Sequence, residues 1–515
     1  MVAAEESKWW TLGAVCLGTF MLLLDITIVN VALPSIQTDL GSTFADLQWV
    51  VDAYALTLAA LLLTGGALAD MYGRRKLYMI GLVVFTFASV LCGSAQSPLM
   101  LEFSRGLQGV GGAIMFAVSL ALLAQAFRGR ERGVAFGIWG AVTGVAVAIG
   151  PLLGGALVSG LSWRWIFFVN VPVGAGAMVL TSLRVVESRD ENSRRPDWPG
   201  FVLFTSALAL LIYGLIESGR LGFGEMRVVG CFAASAVLIV AFLVAERLSK
   251  QPMFDLALFR LPTFSGGAVA AFGISASIFS MFLYLTIYLQ DVLGYSAFET
   301  GSRLIVASGA IFVIAAPAGR LTSLVPIRLL IGPGLILVGG GLLWMRGLDA
   351  NSSWTHLVPG LIMSGVGVGF INPPLASTAV GVVKPQRAGM ASGINSTFRQ
   401  IGIATGIALL GTLFSNRLRD AVATQVHAHP VGFSAAQITD ALQNGHVQSL
   451  FAHTESPQQL GALQQVTRAS FTTALDHILL VAAIIAFVCG VLAFALIRQQ
   501  DFVQHGAPDS APAAG

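Results

Sequence analysis

The sequence predicts an all-α polytopic membrane protein, on three observations. First, 55% of the 515 residues are hydrophobic and only 11% are charged, whereas a water-soluble chain needs about a quarter of its residues charged to cover its surface. Second, the mean hydropathy is +0.79, so hydrocarbon must replace water around much of the fold. Third, apolar runs of roughly 17 to 28 residues recur along the chain, each long enough to cross a bilayer. A net charge of +3 carried by so few charges is a signal of topology and not of nucleic-acid binding. Cys16, Cys92, Cys231 and Cys489 all fall in apolar runs, with neither disulfide nor zinc spacing, and read as packing residues.

Bounded by charge or by Gly and Pro, the runs give fourteen spans. The first, 10–33, follows MVAAEESKWW, which has neither a basic segment nor a small-residue cleavage site after it, so it stays as a span. Spans 48–69, 76–95, 99–127, 133–158 and 165–183 complete a first group of six. The linker DENSRRPDWPG (190–200) sets off a pair, 198–216 and 228–245. ERLSKQPMFDLALFRLP (246–262) then introduces the last six: 263–289, 302–321, 328–344, 356–383, 388–414 and 471–497. The expected domains are a six-helix bundle over 1–189, a two-helix insert over 190–250 and a second six-helix bundle over 251–498. An external loop, 415–470, is polar and partly helical in pattern, and 499–515 reads as a disordered tail. GALADMYGRRK (66–76) after the second span is echoed, degenerately, by AGRLTSLVPIR (318–328) after the second span of the last group.

An even number of spans puts both termini on one side. That side carries 19 of the 29 Lys and Arg residues and the other side 8, so both termini are expected in the cytoplasm, with the chain in the plasma (inner) membrane. No GxxxxGK[ST] occurs, which argues against an ATP-driven pump and against enzymatic hydrolysis. No cofactor is expected. Gly365, Gly367 and Gly369 lie inside a span and follow no strand, so they are packing glycines and not a dinucleotide fingerprint. His427, His429, His446 and His453 fit no metal spacing and read as solvated loop residues, so no metal site is expected.

Asp25, in FMLLLDITIVNVALP, is the carboxylate that hydrocarbon makes most expensive, and it must face a cavity, find a partner or hold a proton. Asn30 lies well around the same helix and is expected to face a neighbouring helix. In the fourth span Glu102, Arg105, Gln108/Gly109 and Gly112 share one stripe. Arg105 sits at the depth of Asp25, within an arginine's reach of it, so the two form the proton-coupling pair and Glu102 and Gln108 are candidates for the substrate pathway. The segment after the second span sets Asp70 against Arg74 and Arg75, with Gly66 and Gly73 where helices turn and approach closely. It reads as a charged latch. In the fifth span Gly144, the Gly150-Pro151 break and Gly154-Gly155 form a stretch that can bend or seal a helix pair.

These segments resemble the major facilitator superfamily, and in particular its fourteen-helix drug:proton antiporters, the EmrB/QacA branch. LDITIVNVALPSI (24–36), GALADMYGRRK, RGLQG (105–109) and GVAVAIGPLLGG (144–155) resemble that branch's motifs. WRWIFFVNVPVG (163–174) and RAGMASGINSTFRQIG (387–402) do so too, and the resemblance spans almost the whole chain. It implies the major facilitator fold and proton-driven export of small hydrophobic drugs or antibiotics by alternating access between two six-helix bundles.

Further pathway candidates are Asn372 before Pro373-Pro374, Asn395 and Arg399 one turn apart, and Tyr284 and Tyr288 as aromatic faces. Because Asp25 is the one deep carboxylate, neutral or monocationic lipophilic substrates are expected over dications. Protons and the bilayer are the other expected partners, and whether the 415–470 loop docks an accessory membrane-fusion protein stays open, as does the oligomeric state. Two readings compete: a dedicated exporter of one endogenous metabolite or lipid on the same fold and, ranked lower, a non-transporting membrane sensor.

Overall fold

The structure is a computed structural model describing residues 2–42, 44–189, 197–249, 256–322, 324–384, 387–428, 431–443, 447–452, 454 and 456–502. Among the described residues there is no β-strand. Thirteen helices are long and apolar enough to cross a bilayer, and Arg328–Trp344 is an apolar helix of 17 residues, the shortest length that still spans. These fourteen coincide with the fourteen expected spans. We number them α1 (Val2–Leu40), α2 (Phe44–Tyr72), α3 (Arg74–Gly93), α4 (Pro98–Ala126), α5 (Gly129–Gly160), α6 (Trp165–Arg184) and α7 (Trp198–Leu221). The others are α8 (Met226–Leu248), α9 (Pro262–Gln290), α10 (Ala297–Leu321), α11 (Arg328–Trp344), α12 (Val358–Gly381), α13 (Ala388–Ala428) and α14 (Pro457–Leu496).

Local sequence explains where several of these helices begin. Ser97 caps α4 by accepting from the Met100 amide, with Pro98 in the first turn, where its missing N–H costs nothing. Asp197 does the same for α7, and Ser296 and Glu299 form a reciprocal capping box on α10. Helix α9 contains a π-helical turn, Ser275–Phe279, and runs at its end into a second, Tyr288–Val292. Ser280 stitches the first by donating to the Ser275 carbonyl and lies within 3.2 Å of the Ile403 carbonyl of α13.

Helices α1–α6 pack on one another, as do α9–α14, and the groups meet chiefly along two helix pairs, with lesser contacts of α4 with α13 and of α5 with α12. Helix α5 lies along α10, and α2 along α13. Both seams depend on glycine. A Cβ on Gly133 would strike the Gly319 carbonyl, and one on Gly66 the Gly389 carbonyl, so backbones touch where side chains would hold them apart. Helix α7 straddles the second seam: Thr205 bonds Thr64 of α2 at 2.9 Å, Tyr213 stacks on Trp49, and Leu208 and Ile212 meet Ala59, Ile401 and Ala404. Helix α8 packs on α7 and shows Val229, Val237, Val240, Val244 and Leu248 outward, as a lipid-facing helix does.

We call the side with both chain ends the basic face. On the opposite face Asp39 accepts from Arg164 (2.6 Å) and Trp163 (3.0 Å), tying α1 to the α5–α6 turn, and these donors hold its carboxyl below the usual range.

Two expectations change. The 415–470 segment is largely helix: α13 and α14 run unbroken past the membrane, and Ala435–Gln443 and Val447–Ala452 lie between them. Its Leu418, Val422, Ile438, Leu442 and Leu463 join the core of the C-terminal bundle. The tail is ordered at its start, where Asp501 accepts from the Thr263 hydroxyl at 2.6 Å and Phe502 covers Gly381. Residues 503–515, the linker residues 190–196, residues 251–255, and His429, His446 and His453 lie outside the described residues.

Gly160, by contrast with Gly133, has nothing within 4 Å of a built Cβ. Gly133→Val should therefore lower the melting temperature in detergent by about 5 °C or more, the equivalent of about 2 kcal/mol, while Gly160→Val leaves it within a degree or so. Equal shifts would refute the close seam.

Candidate functional site

Asp25 is wholly buried among α1, α3, α4 and α6. One carboxylate oxygen takes a short hydrogen-bonded ion pair from Arg105 Nη1. The other accepts from Gln108 Nε2 at 2.8 Å and Asn170 Nδ2 at 2.9 Å. Arg105, itself 1% exposed, also donates to the Val50 carbonyl (3.0 Å) and to Gln108 Oε1 (2.6 Å), and its guanidinium lies 4.3 Å from the centre of the Tyr54 ring. Ser89 Oγ accepts from Gln108 Nε2 at 2.8 Å. Every polar group of the cluster is thus partnered, as a buried charge pair requires. The expected Asp25–Arg105 pairing is present. Gln108 belongs to this cluster and not to a substrate pathway, because it is 0% exposed with both ends of its amide bonded. Asn170, Ser89 and Tyr54 were not singled out from sequence; an Asn in the apolar run WRWIFFVNVPVG is the signal that pointed to the first.

A second cluster closes the basic face. Asp70 accepts from the backbone amides of Gly389 (3.0 Å) and Met390 (2.9 Å), in the first turn of α13, where free N–H groups and the helix dipole favour an anion. Arg74, 3% exposed, bonds the same carboxylate at 2.7 and 2.9 Å. Gly73 turns the chain between α2 and α3 at φ +108°, a conformation that disfavours any side chain. Glu187, after α6, accepts from the amides of Arg75 (3.0 Å), Lys76 (3.0 Å) and Ser188 (2.8 Å), capping α3, and Arg75 reaches the Ser182 carbonyl at 2.6 Å. The sequence reading missed Glu187; an acid directly after a span, facing a basic turn, was its signal.

The α5 glycines fall on two contacts. Gly150 and Gly154 meet Thr27, Ile28 and Val31 of α1, while Gly144 faces Ile311 of α10 and Gly155 approaches Phe298. Pro151 touches the position of Gly301. The stretch therefore joins the bundles as well as packing within one.

Between the bundles lies a small cavity, lined by Phe116 and Trp139 from α4 and α5 and by Asn372, Asn395, Ser396 and Arg399 from α12 and α13, among others. Arg399 Nη2 donates to Asn372 Oδ1 at 2.5 Å. The three C-terminal pathway candidates thus come together. The other pathway candidates do not join them. Tyr284 bonds the Ile407 carbonyl and packs on Phe414, and Tyr288 stacks on Phe471, both inside the C-terminal bundle, because i, i+4 aromatics on an apolar helix fill a core as readily as they face a ligand. Glu102 stays half-buried near the outer end of α4, beside Asp46 and away from the cavity. Asn30 is exposed and not against a helix. Nor does Asp25 reach the cavity, so the expectation that it neutralises a monocationic substrate loses its geometric basis.

The sequence profile of the Major Facilitator Superfamily matches residues 15–407. The chain belongs to the major facilitator superfamily. It is 39% identical over 412 residues to the multidrug resistance protein Stp of Mycobacterium tuberculosis, covering 80% of this chain and 76% of that one. It is 33% identical over 515 residues to the tetracenomycin C resistance and export protein of Streptomyces glaucescens, covering 98% and 94%. The solved proton:xylose symporter XylE superposes with a TM-score of 0.63 over 96% of each chain at 10% identity, a likeness of fold alone. The fourteen-helix layout and these relatives accord with the superfamily's drug-exporter branch.

In this superfamily member the Asp70 contact is the polar link that holds α2 to α13 at the basic face. Asp70→Asn weakens the anion at the helix terminus and its bond to Arg74, worth about 1–3 kcal/mol together. Spin labels across the basic face should show a longer-distance population absent in the parent. Distributions identical to the parent's would sink the latch.

Proposed function

We propose that the protein is a proton-coupled exporter of small hydrophobic drugs or antibiotics, working by alternating access. Residues 1–189 and 251–498 are the two moving bundles, the basic face is cytoplasmic and the membrane is the plasma membrane. The observation that carries the coupling is the Asp25–Arg105 pair, the ion pair sealed inside a bundle at bilayer depth. A pair with almost no exposed surface, held by Gln108 and Asn170, can release its carboxylate for protonation only if the helices around it shift. Such a shift is what motion of α1 and α4 against the C-terminal bundle would supply, since α5 joins α1 to α10 through Gly150, Gly154 and Gly144. The narrow space between the bundles is the substrate path in a contracted state, too small as it stands for a drug-sized ligand. Relatives named for multidrug resistance and for antibiotic resistance and export support the direction of transport. Export of one endogenous compound is the second reading, supported by the same antibiotic-linked relative.

Asp25→Asn keeps the shape of this site and one of its two acceptor oxygens, but neither its charge nor its proton chemistry. In everted vesicles with an imposed pH gradient, the parent should show substrate-induced proton movement and the Asn variant none, at equal abundance. Undiminished proton movement would remove Asp25 from the mechanism. Arg105→Ala should displace the pH profile of transport, and because it leaves a buried carboxylate unpaired it should also cost about 3–5 kcal/mol of stability; an unchanged profile with full activity would show that the pair does not couple.

A further inference from the structure

The cavity between the bundles is charged, and its charge is positive. Of the eight residues that line it none is acidic, and Arg399 is its one permanently charged group. Arg399 lies eleven residues into α13, about 17 Å from the basic face at 1.5 Å per residue, near the bilayer middle. A guanidinium carries five N–H donors, yet the hydrogen bond seen for Arg399 is one, from Nη2 to the neutral Asn372 Oδ1. Among the described residues no carboxylate pairs with it. This contrasts with Arg105, whose charge is matched by Asp25. An arginine left this way at bilayer depth is costly unless something completes it.

The surroundings specify what completes it. Ser396 and the amides of Asn372 and Asn395 are further polar groups on the same wall. The facing wall is aromatic: Phe116 and Trp139 have ring centres 6.0 Å apart. Trp139 has its N–H committed to Thr19 Oγ1 at 3.1 Å, so it offers the cavity ring surface and no donor. We propose that this cavity is a binding site for flat aromatic compounds bearing a carboxylate or equivalent acidic oxygen, with Arg399 forming the paired charge-assisted bonds and Phe116 and Trp139 stacking the ring system. The planar guanidinium fork matches a carboxylate in two-point geometry, and aromatic faces take a planar body of either polarity. A cationic substrate would meet Arg399 with no anion to offset the repulsion. The proposal rests on reading this cavity as the transporter's substrate path, and names the substrate class of that path.

The test is equilibrium binding to the purified full-length protein, which needs no gradient. Three fluorescent probes share one ring system: 2-anthracenecarboxylate, its methyl ester, and the corresponding anthracenylmethyl-trimethylammonium cation. The parent should bind the carboxylate about tenfold or more tightly than the ester, and the cation most weakly, the difference one charge-assisted pair makes. Arg399→Gln should bring carboxylate and ester within about threefold of each other while ester binding stays near the parent's. Arg399→Lys keeps the charge and loses the fork, and should narrow the preference about threefold; it decides the matter if the Gln variant does not fold. A carboxylate bound no better than the ester or not bound at all, a cation bound best, or a preference untouched by both substitutions overturns the proposal. Vesicle transport of the same probes separates the two readings. Transport without acid preference would remove the anion site and keep the exporter, whereas selective binding with no transport would do the reverse.

Discussion

The Asp25–Arg105 ion pair is the constraint from which the N-terminal bundle is organised. Hydrocarbon cannot solvate a carboxylate, so the chain must deliver a cation and further donors to one buried point. It does so from separate helices, with Arg105 and Gln108 on α4 and Asn170 on α6, while the Val50 carbonyl on α2 accepts from Arg105 and holds it in place. Their convergence fixes the rotation of each helix about its axis, because a quarter-turn of any one would strand a charge or an amide. Apolar packing around the cluster, with Leu22, Phe85 and Met115 nearly inaccessible, then has one arrangement to satisfy.

The contacts between bundles obey a different rule. They rest on backbone meeting backbone at Gly66, Gly133, Gly319 and Gly389, and on one carboxylate set on a helix terminus. Neither kind of contact demands deep desolvation of paired charges across the seam. Such an interface can part and re-form at modest cost, while the interior of each bundle keeps its shape.

Much of this was legible in the sequence because lipid makes polar residues conspicuous. Asp25 and Arg105 stood out by cost and depth, and Asp70 by its place between glycines and a basic run. What the sequence could not supply was the partner from afar: Asn170 meets Asp25 across 145 residues, and no periodicity within one helix indicates which distant helix turns toward it. Tyr284 and Tyr288 were misread because aromatic spacing is the same for a core and for a binding face. The 415–470 segment was read as a partly helical loop, and the extent of its helix went unseen because a polar helix outside the membrane loses the apolar run that marks it inside. Glu187 was overlooked because its place beside the basic turn is a weak signal, and its partners are three backbone amides that side-chain patterns do not name.

The unbroken passage of α13 out of the membrane has a mechanical consequence. At 41 residues it is a rod about 60 Å long, with Arg399 and the Asp70 contact on one half and the external helices on the other. Pivoted near its middle, a tilt of about 10° would sweep its outer tip by about 5 Å over an arm of half that length. The cap at that end would then act as a pointer, magnifying on the face opposite the basic one a rearrangement too small to see at the buried cavity. A reagent that grips the cap would in turn be able to hold the cavity in one of its shapes.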